Sequence, residues 1–137
     1  MEHEFKRRLV EYTYGVVGCM HEVHRKLGMG LNEYIYQEGF LIECNSQGIK
    51  VEKEVEVHPT YDGKVMEAYF RLDFLCLDNV VVECKAVEKL SDDNRYQLWN
   101  YLRITKHPIG ILVNFAASKA QIERYYYDRG ANSISAF

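Results

Sequence analysis

Three features of this sequence predict a small α/β fold in which helices flank a mixed sheet of four to five strands. Apolar residues recur at helical spacing through the first 46 positions. Three strand-like runs then follow one another from Ile49 to Ala86. A helical stretch links the third run to a fourth, Ile109 to Phe115, and a strand–helix–strand connection of this kind is parallel and right-handed. The earlier runs are joined by short turns and so are antiparallel, which makes the sheet mixed. At 137 residues the chain is expected to form one domain around one core.

The elements can be justified in order. Phe5, Leu9, Tyr12, Val16, Met20, Val23 and Leu27 recur at steps of three or four, so Glu4 to Leu27 reads as an amphipathic helix. Gly28-Met29-Gly30 ends it, because glycine takes the left-handed conformation favoured at a helix C-terminus. Asn32 caps a second helix with Glu33 in its first turn, and this helix runs to about Ser46 before Gln47-Gly48. Glu33, Tyr36, Gln37 and Phe40 share one of its faces. From Ile49 to Tyr61, Val51, Val55 and Val57 alternate with Glu52, Glu54, Glu56 and His58, as in a half-exposed strand. Asp62-Gly63 signals a hairpin into a strand from Val65 to Leu77. The third strand, Val80 to Ala86, is more continuously apolar and is expected to be central.

Ser91-Asp92-Asp93-Asn94 starts a capped helix that ends near Thr105-Lys106 and carries Gln97 and Tyr101 on one face. Between Ser118 and Asp128 the sequence fits either an edge strand or a short helix, and Ala131 to Phe137 is expected to fray.

Composition removes several classes of function. The hydrophobic content of 47% argues against disorder, and a net charge of −3 rules out a global basic field for nucleic acid while leaving room for a local basic groove. Cys19, Cys44, Cys76 and Cys84 form no CxxC and sit among apolar neighbours, so they read as buried, reduced thiols. No apolar run approaches the ~20 residues of a membrane span, and the first residues lack the apolar core of a signal peptide. No membrane association is therefore expected, and the cytoplasm is the expected compartment.

The chemistry is concentrated in the hairpin from Arg71 to Ala86. Asp73, Glu83 and Lys85 stand there among Val, Leu, Phe and Cys. Burying such carboxylates costs several kcal/mol unless a cation or charged partner pairs them. Side chains alternate across a strand, so Glu83 and Lys85 share a face, and Tyr69, Arg71, Asp73 and Leu75 are expected to share one on the preceding strand. A two-residue loop at Asp78-Asn79 sets Asp73 opposite Cys84. Placing Asp73 opposite Glu83 requires an odd loop, Leu77-Asp78-Asn79, or a bulge.

The order Asp73, then Glu83-Cys84-Lys85 on the next strand, then a helix bearing Gln97, resembles the PD-(D/E)XK nuclease superfamily. Gly30-Leu31-Asn32-Glu33-Tyr34-Ile35-Tyr36 reads as Gly-x-x-Glu-x-x-Tyr, the signature of the GxxExxY protein family within it. Val23-His24, Leu27-Gly28, Ala86 to Leu90 and Asn114-Phe115 are also similar to that family. Leu72 stands where the superfamily's name has proline.

The resemblance implies a restriction-endonuclease-like core and hydrolysis of phosphodiester bonds in DNA, with single strands or ends as candidate substrates. Glu33, Asp73 and Glu83 are then the metal ligands, and Lys85 orients or helps deprotonate the attacking water. Gln97 positions the lysine or a phosphate, while Tyr101 and Tyr36 face the substrate. Oxygen ligands without His or Cys suit Mg²⁺ or Mn²⁺ and do not suit zinc. The implied partner is nucleic acid, DNA first, and a homo-oligomer stays open.

Other readings fit some of the same residues. Asp73, Glu83 and Lys85 also make a plain cross-strand salt-bridge cluster. The fold can equally serve a noncatalytic nucleic-acid-binding or protein-interaction domain. His21 and His24 are spaced as a metal pair but read better as packed or solvated histidines, with His24 placed to buttress the Gly28-to-Glu33 turn. Tyr125-Tyr126-Tyr127 suits base stacking, edge-strand packing or an oligomer contact.

Overall fold

A computed structural model describes residues 1–137. Two helices come first, α1 (His3–Leu27) and α2 (Glu33–Ser46). The first long strand, β1 (Val51–Val57), is followed by a small hairpin, β2 (Thr60–Tyr61) and β3 (Lys64–Val65). Then come β4 (Phe70–Cys76), β5 (Val80–Lys85), α3 (Asp92–Thr105) and β6 (Ile109–Asn114). The chain closes with β7 (Gln121–Asp128) and β8 (Ser133–Ala136).

The main sheet has six strands in the order β1-β4-β5-β6-β7-β8. Only β5 and β6 pair in parallel, through the α3 crossover, as the sequence predicts. The helices divide the core into two layers. α1 and α2 cover one face, where Val16, Met20, Tyr36 and Phe40 meet Phe74, Val82 and Ile111. α3 covers the other face, where Leu98 and Leu102 meet Leu75, Val81 and Leu112. The approach of α3 to β6 is close at Gly110: a Cβ there would stand 2.9 Å from Leu102 and 3.0 Å from Leu98. Ser91 and Asn94 form a reciprocal capping box that fixes where α3 begins.

Four expectations change. The strand expected from Ile49 to Tyr61 stops at Val57, and the one from Val65 to Leu77 breaks between β3 and β4, so β2 and β3 form a separate ribbon with Asp62-Gly63 as its turn. The stretch from Gln121 is a strand and not a helix, and it is not an edge, because β8 pairs with it. The tail is therefore not frayed: β8 is in the sheet, Phe137 is buried, and its amide donates to the Arg124 carbonyl (3.0 Å). Finally, β4 does not keep one parity. Phe70 and Leu72 pack toward α3, whereas Phe74 and Cys76 pack toward α1 and α2, so the strand turns over at Asp73 and the expected shared face of Arg71, Asp73 and Leu75 is broken.

The neighbouring strand makes a matching change. In β1, Val51 lies toward α1 and α2, while Val55 and Val57 lie toward α3. Between them Glu54 has φ +51, a left-handed conformation that a non-glycine side chain rarely adopts. Register survives on both sides of this position, with Lys53 opposite Phe74 and Val55 opposite Leu72. Both strands thus reverse their faces at the same point, and that point is where Asp73 lies.

Candidate metal and phosphodiester site

The hairpin between β4 and β5 has the odd loop that the opposition of Asp73 and Glu83 requires. Cys76 pairs with Val80, which leaves Leu77, Asp78 and Asn79 as a three-residue turn. Leu77 (φ +55) and Asp78 (φ +62) are both left-handed, a costly conformation for leucine. Neighbours hold the turn: Tyr12 donates its hydroxyl to the Leu77 carbonyl (3.1 Å), and Lys50 pairs with Asp78 (2.7 Å).

From this turn the ladder runs through Leu75–Val81 and Phe74–Val82, so the next opposed residues are Asp73 and Glu83. There side chains replace the ladder. The Asp73 amide donates to Glu83 Oε2 (2.7 Å), and the Cys84 amide donates to Asp73 Oδ2 (2.8 Å). Each carboxylate thus satisfies a backbone donor of the opposite strand and keeps a second oxygen for another partner.

Burial makes these charges costly. Glu83 is only 4% exposed, and desolvation, with the negative charge of Asp73 next, pushes its pKa up to about 8. Desolvation also raises Asp73, against the opposing pull of the Cys84 amide, Lys85 and Gln37. Glu33 is raised by burial and then by Asp73, while Lys85 pulls it down. Tyr101 is raised first by burial and then by Glu83 and Asp73. Lys85 itself forms no ion pair within 4.0 Å. Negative charge is therefore in excess here.

Glu33 reaches this region from the first turn of α2, whose start is fixed by Asn32 Oδ1 accepting from the Ile35 amide (3.2 Å). Gln37, one turn on, donates to Glu33 Oε2 (3.0 Å) and orients it. Glu33 and Asp73 line a cleft of about 630 Å³ between α2 and the β1–β4 wall. On the other side of the sheet, Tyr101 stacks on Phe70 with centroids 4.2 Å apart. Gln97 is exposed on α3. Beyond Lys85, the buried Asn114 holds the chain by accepting from the Val87 amide (3.0 Å) and donating to the Val87 carbonyl (2.8 Å).

Two expected contacts are absent. Tyr36 does not face the substrate side: it is fully buried, its hydroxyl donates to the Gly28 carbonyl (2.6 Å) and accepts from the Leu31 amide (3.2 Å), and its ring stacks on Phe115. It shapes the turn that delivers Glu33. His24 does not buttress that turn, since its ring bonds the Ala117 carbonyl (2.8 Å). Tyr125 and Tyr127 are buried as well, which removes them as base-stacking surfaces.

No three His, Cys, Asp or Glu side chains stand at metal-ligand spacing. Glu33, Asp73 and Glu83 act on one another through charge, and their side chains would have to draw together to share an ion. Their chemistry still fits a hard divalent cation. The donors are carboxylate oxygens alone, and their raised pKa values mark a charge excess that a cation relieves. Sequence inspection missed Gln37 as the partner of Glu33, although the spacing of four on one helix face was the available signal. It also missed Glu54, whose backbone conformation has no marker in the residue type.

The fold has a known counterpart. The crystal structure of SSO0001 superposes with a TM-score of 0.55 at 19% identity, over 93% of this chain and 61% of that one. The chain therefore spans less than two thirds of that protein's length, and the likeness establishes the fold alone. No curated protein matches the chain. No helix is long and apolar enough to cross a membrane. The mixed six-stranded sheet between helices is consistent with a restriction-endonuclease-like fold. The model of the PD-(D/E)XK nuclease superfamily matches residues 10–125, and the chain belongs to that superfamily.

Proposed function

We propose that this protein is a Mg²⁺- or Mn²⁺-dependent deoxyribonuclease of the GxxExxY type, working in the cytoplasm as one domain over residues 1–137. The observation that carries the reading is the crossed pair Asp73 and Glu83. Two carboxylates bind each other's strands, hold too little positive charge, and have Lys85 two residues away on β5.

Glu33, Asp73 and Glu83 would hold the ion, which when bound lowers the pKa of a water and offsets charge on the scissile phosphate. The protein's own groups supply the rest. Lys85, outside any ion pair, directs a point charge to where the phosphate becomes more negative. Gln37 fixes the rotamer of Glu33 through its amide. Tyr101, clamped on Phe70, presents a hydroxyl on the α3 side, and Gln97 stands one turn before it on the same helix.

Labelled single- and double-stranded DNA and RNA, incubated with Mg²⁺ or Mn²⁺, test this directly. Wild type should cleave DNA, and Asp73→Ala and Lys85→Ala should each lose about 100-fold or more in rate. Equal rates for all three proteins would sink the proposal in favour of a noncatalytic binding domain.

A further inference from the structure

The cleft that contains Glu33 and Asp73 has two walls of different character. The β1–β4 wall carries Lys53 and Arg71, one residue before Glu54 and two before Asp73. Lys53 forms no ion pair within 4.0 Å. Arg71 has only a 3.9 Å approach to Glu56, and its guanidinium lies 5.4 Å from the Tyr69 ring centroid. Both cations are thus available to an incoming anion beside the carboxylates. The α2 wall, by contrast, carries Tyr34 and Ile42, which are 80% and 62% exposed. The two cations and this apolar surface stand among the carboxylates of Glu33, Glu38, Glu54 and Asp73. An aromatic ring that open to solvent, next to Glu33, has no packing role in the fold.

A ligand that satisfies both walls has regularly spaced negative charges and open flat faces. Single-stranded nucleic acid has both, whereas a duplex keeps its base faces stacked inside. Two cations also match a short contact: Lys53 and Arg71 are the only basic side chains that line the cleft, fewer than a track along a duplex backbone uses. We infer that this cleft is a track for single-stranded DNA, in which Tyr34 stacks on a base and Lys53 and Arg71 hold phosphates flanking the one beside Glu33 and Asp73. This deepens the nuclease reading and rests on it for the direction of the strand toward the carboxylates.

Fluorescence anisotropy with a labelled oligothymidine and a labelled hairpin duplex tests the track without cleavage, in EDTA and in Ca²⁺, between about 50 and 200 mM KCl. Wild type should prefer the single strand. Its log–log salt slope should be near −1.4 for two phosphate contacts, and Lys53→Ala/Arg71→Ala should flatten it. Tyr34→Ala should weaken binding about 5- to 100-fold and Tyr34→Phe should retain it. The three side chains are exposed, so loss of binding with unchanged circular dichroism reports contact and not folding. Equal affinity for duplex and single strand, no single-strand binding in either condition, or Tyr34→Ala and the double variant binding like wild type would each overturn the proposal. Cleavage by wild type with unaltered binding by these variants sinks the track alone; their loss of binding with no cleavage by any protein sinks the nuclease reading alone.

Discussion

Two groups of acidic side chains in this molecule face the same problem and solve it differently. On the α3 side of the sheet, Glu123 accepts a two-pronged hydrogen bond from Arg95, Nε to Oε1 and Nη2 to Oε2, both at 2.8 Å. Tyr125 adds its hydroxyl, and Asp92 takes the remaining guanidinium nitrogen. The Arg95 guanidinium, ahead of burial, holds the Glu123 carboxyl below its ordinary pKa. At the β4–β5 hairpin, Asp73 and Glu83 each accept a backbone amide, the only side chain helping Asp73 as a donor is the neutral Gln37, and Lys85 stays outside ion-pair distance. Their pKa values go up. A protein that can pair one acid so completely leaves two more, Glu83 buried and Asp73 half-buried, without a cation in ion-pair contact. The first cluster is finished by the chain itself; in the proposed function the second is finished by a bound ion.

The sharpest way to break this comparison is to neutralise one acid in each cluster. If Glu83 holds the ion as proposed, Glu83→Gln should reduce DNA cleavage by about 100-fold or more. Glu123→Ala should leave the cleavage rate within about twofold, but it strands the half-buried Arg95 guanidinium. Urea unfolding at neutral pH should therefore show a loss of about 1–3 kcal/mol. Cleavage lost in Glu123→Ala and kept in Glu83→Gln would invert the roles assigned to the two clusters.

A pH series reads the difference by sign. In metal-free protein the Glu83 carboxyl has a folded pKa near 8, above its unfolded value, so the native state binds more protons between about pH 4.5 and 8. Stability then falls as pH rises through that window, and Glu83→Gln should make the fall shallower. Glu123 runs the other way: its folded pKa is depressed, so its contribution is present above the unfolded pKa and lost as pH drops through the folded one. Unfolding midpoints in EDTA at pH 5.5 and 8.5 decide the matter, and identical slopes for wild type and Glu83→Gln would contradict it. The smallest effect is expected at Asp92, 74% exposed, whose pair with Arg95 is a surface one. Asp92→Asn should change stability by no more than about 0.5 kcal/mol in the same assay.

How much of this the sequence disclosed depends on the range of the physics involved. The three-residue turn at Leu77-Asp78-Asn79 is one of the two outcomes, an odd loop or a bulge, that parity requires once Asp73 is to oppose Glu83, and the structure has the odd loop. Helix limits were legible from local caps: Asn32, Gly28 and the Ser91 box act within four residues. The turnover of β1 and β4 at Glu54 and Asp73 was not legible, since a glutamate at φ +51 looks like any strand glutamate. β8 was hidden because Ser133-Ile134-Ser135-Ala136 has little apolar content and is held by pairing with β7. Tyr36 was assigned to substrate through the resemblance, and its place on the Glu33 face of α2 gave no sign of its burial. Position on a helix face says which residues are neighbours, but not whether that face meets a cleft or the core.

The central claim is that Asp73 and Glu83 lack a positive charge that a divalent ion supplies. Isothermal titration of Mn²⁺ into the metal-free protein tests it most directly. Wild type and Glu123→Ala should bind the ion alike, and Asp73→Asn should lose the heat of binding. Binding that survives unchanged in Asp73→Asn, or no binding by wild type, would contradict it.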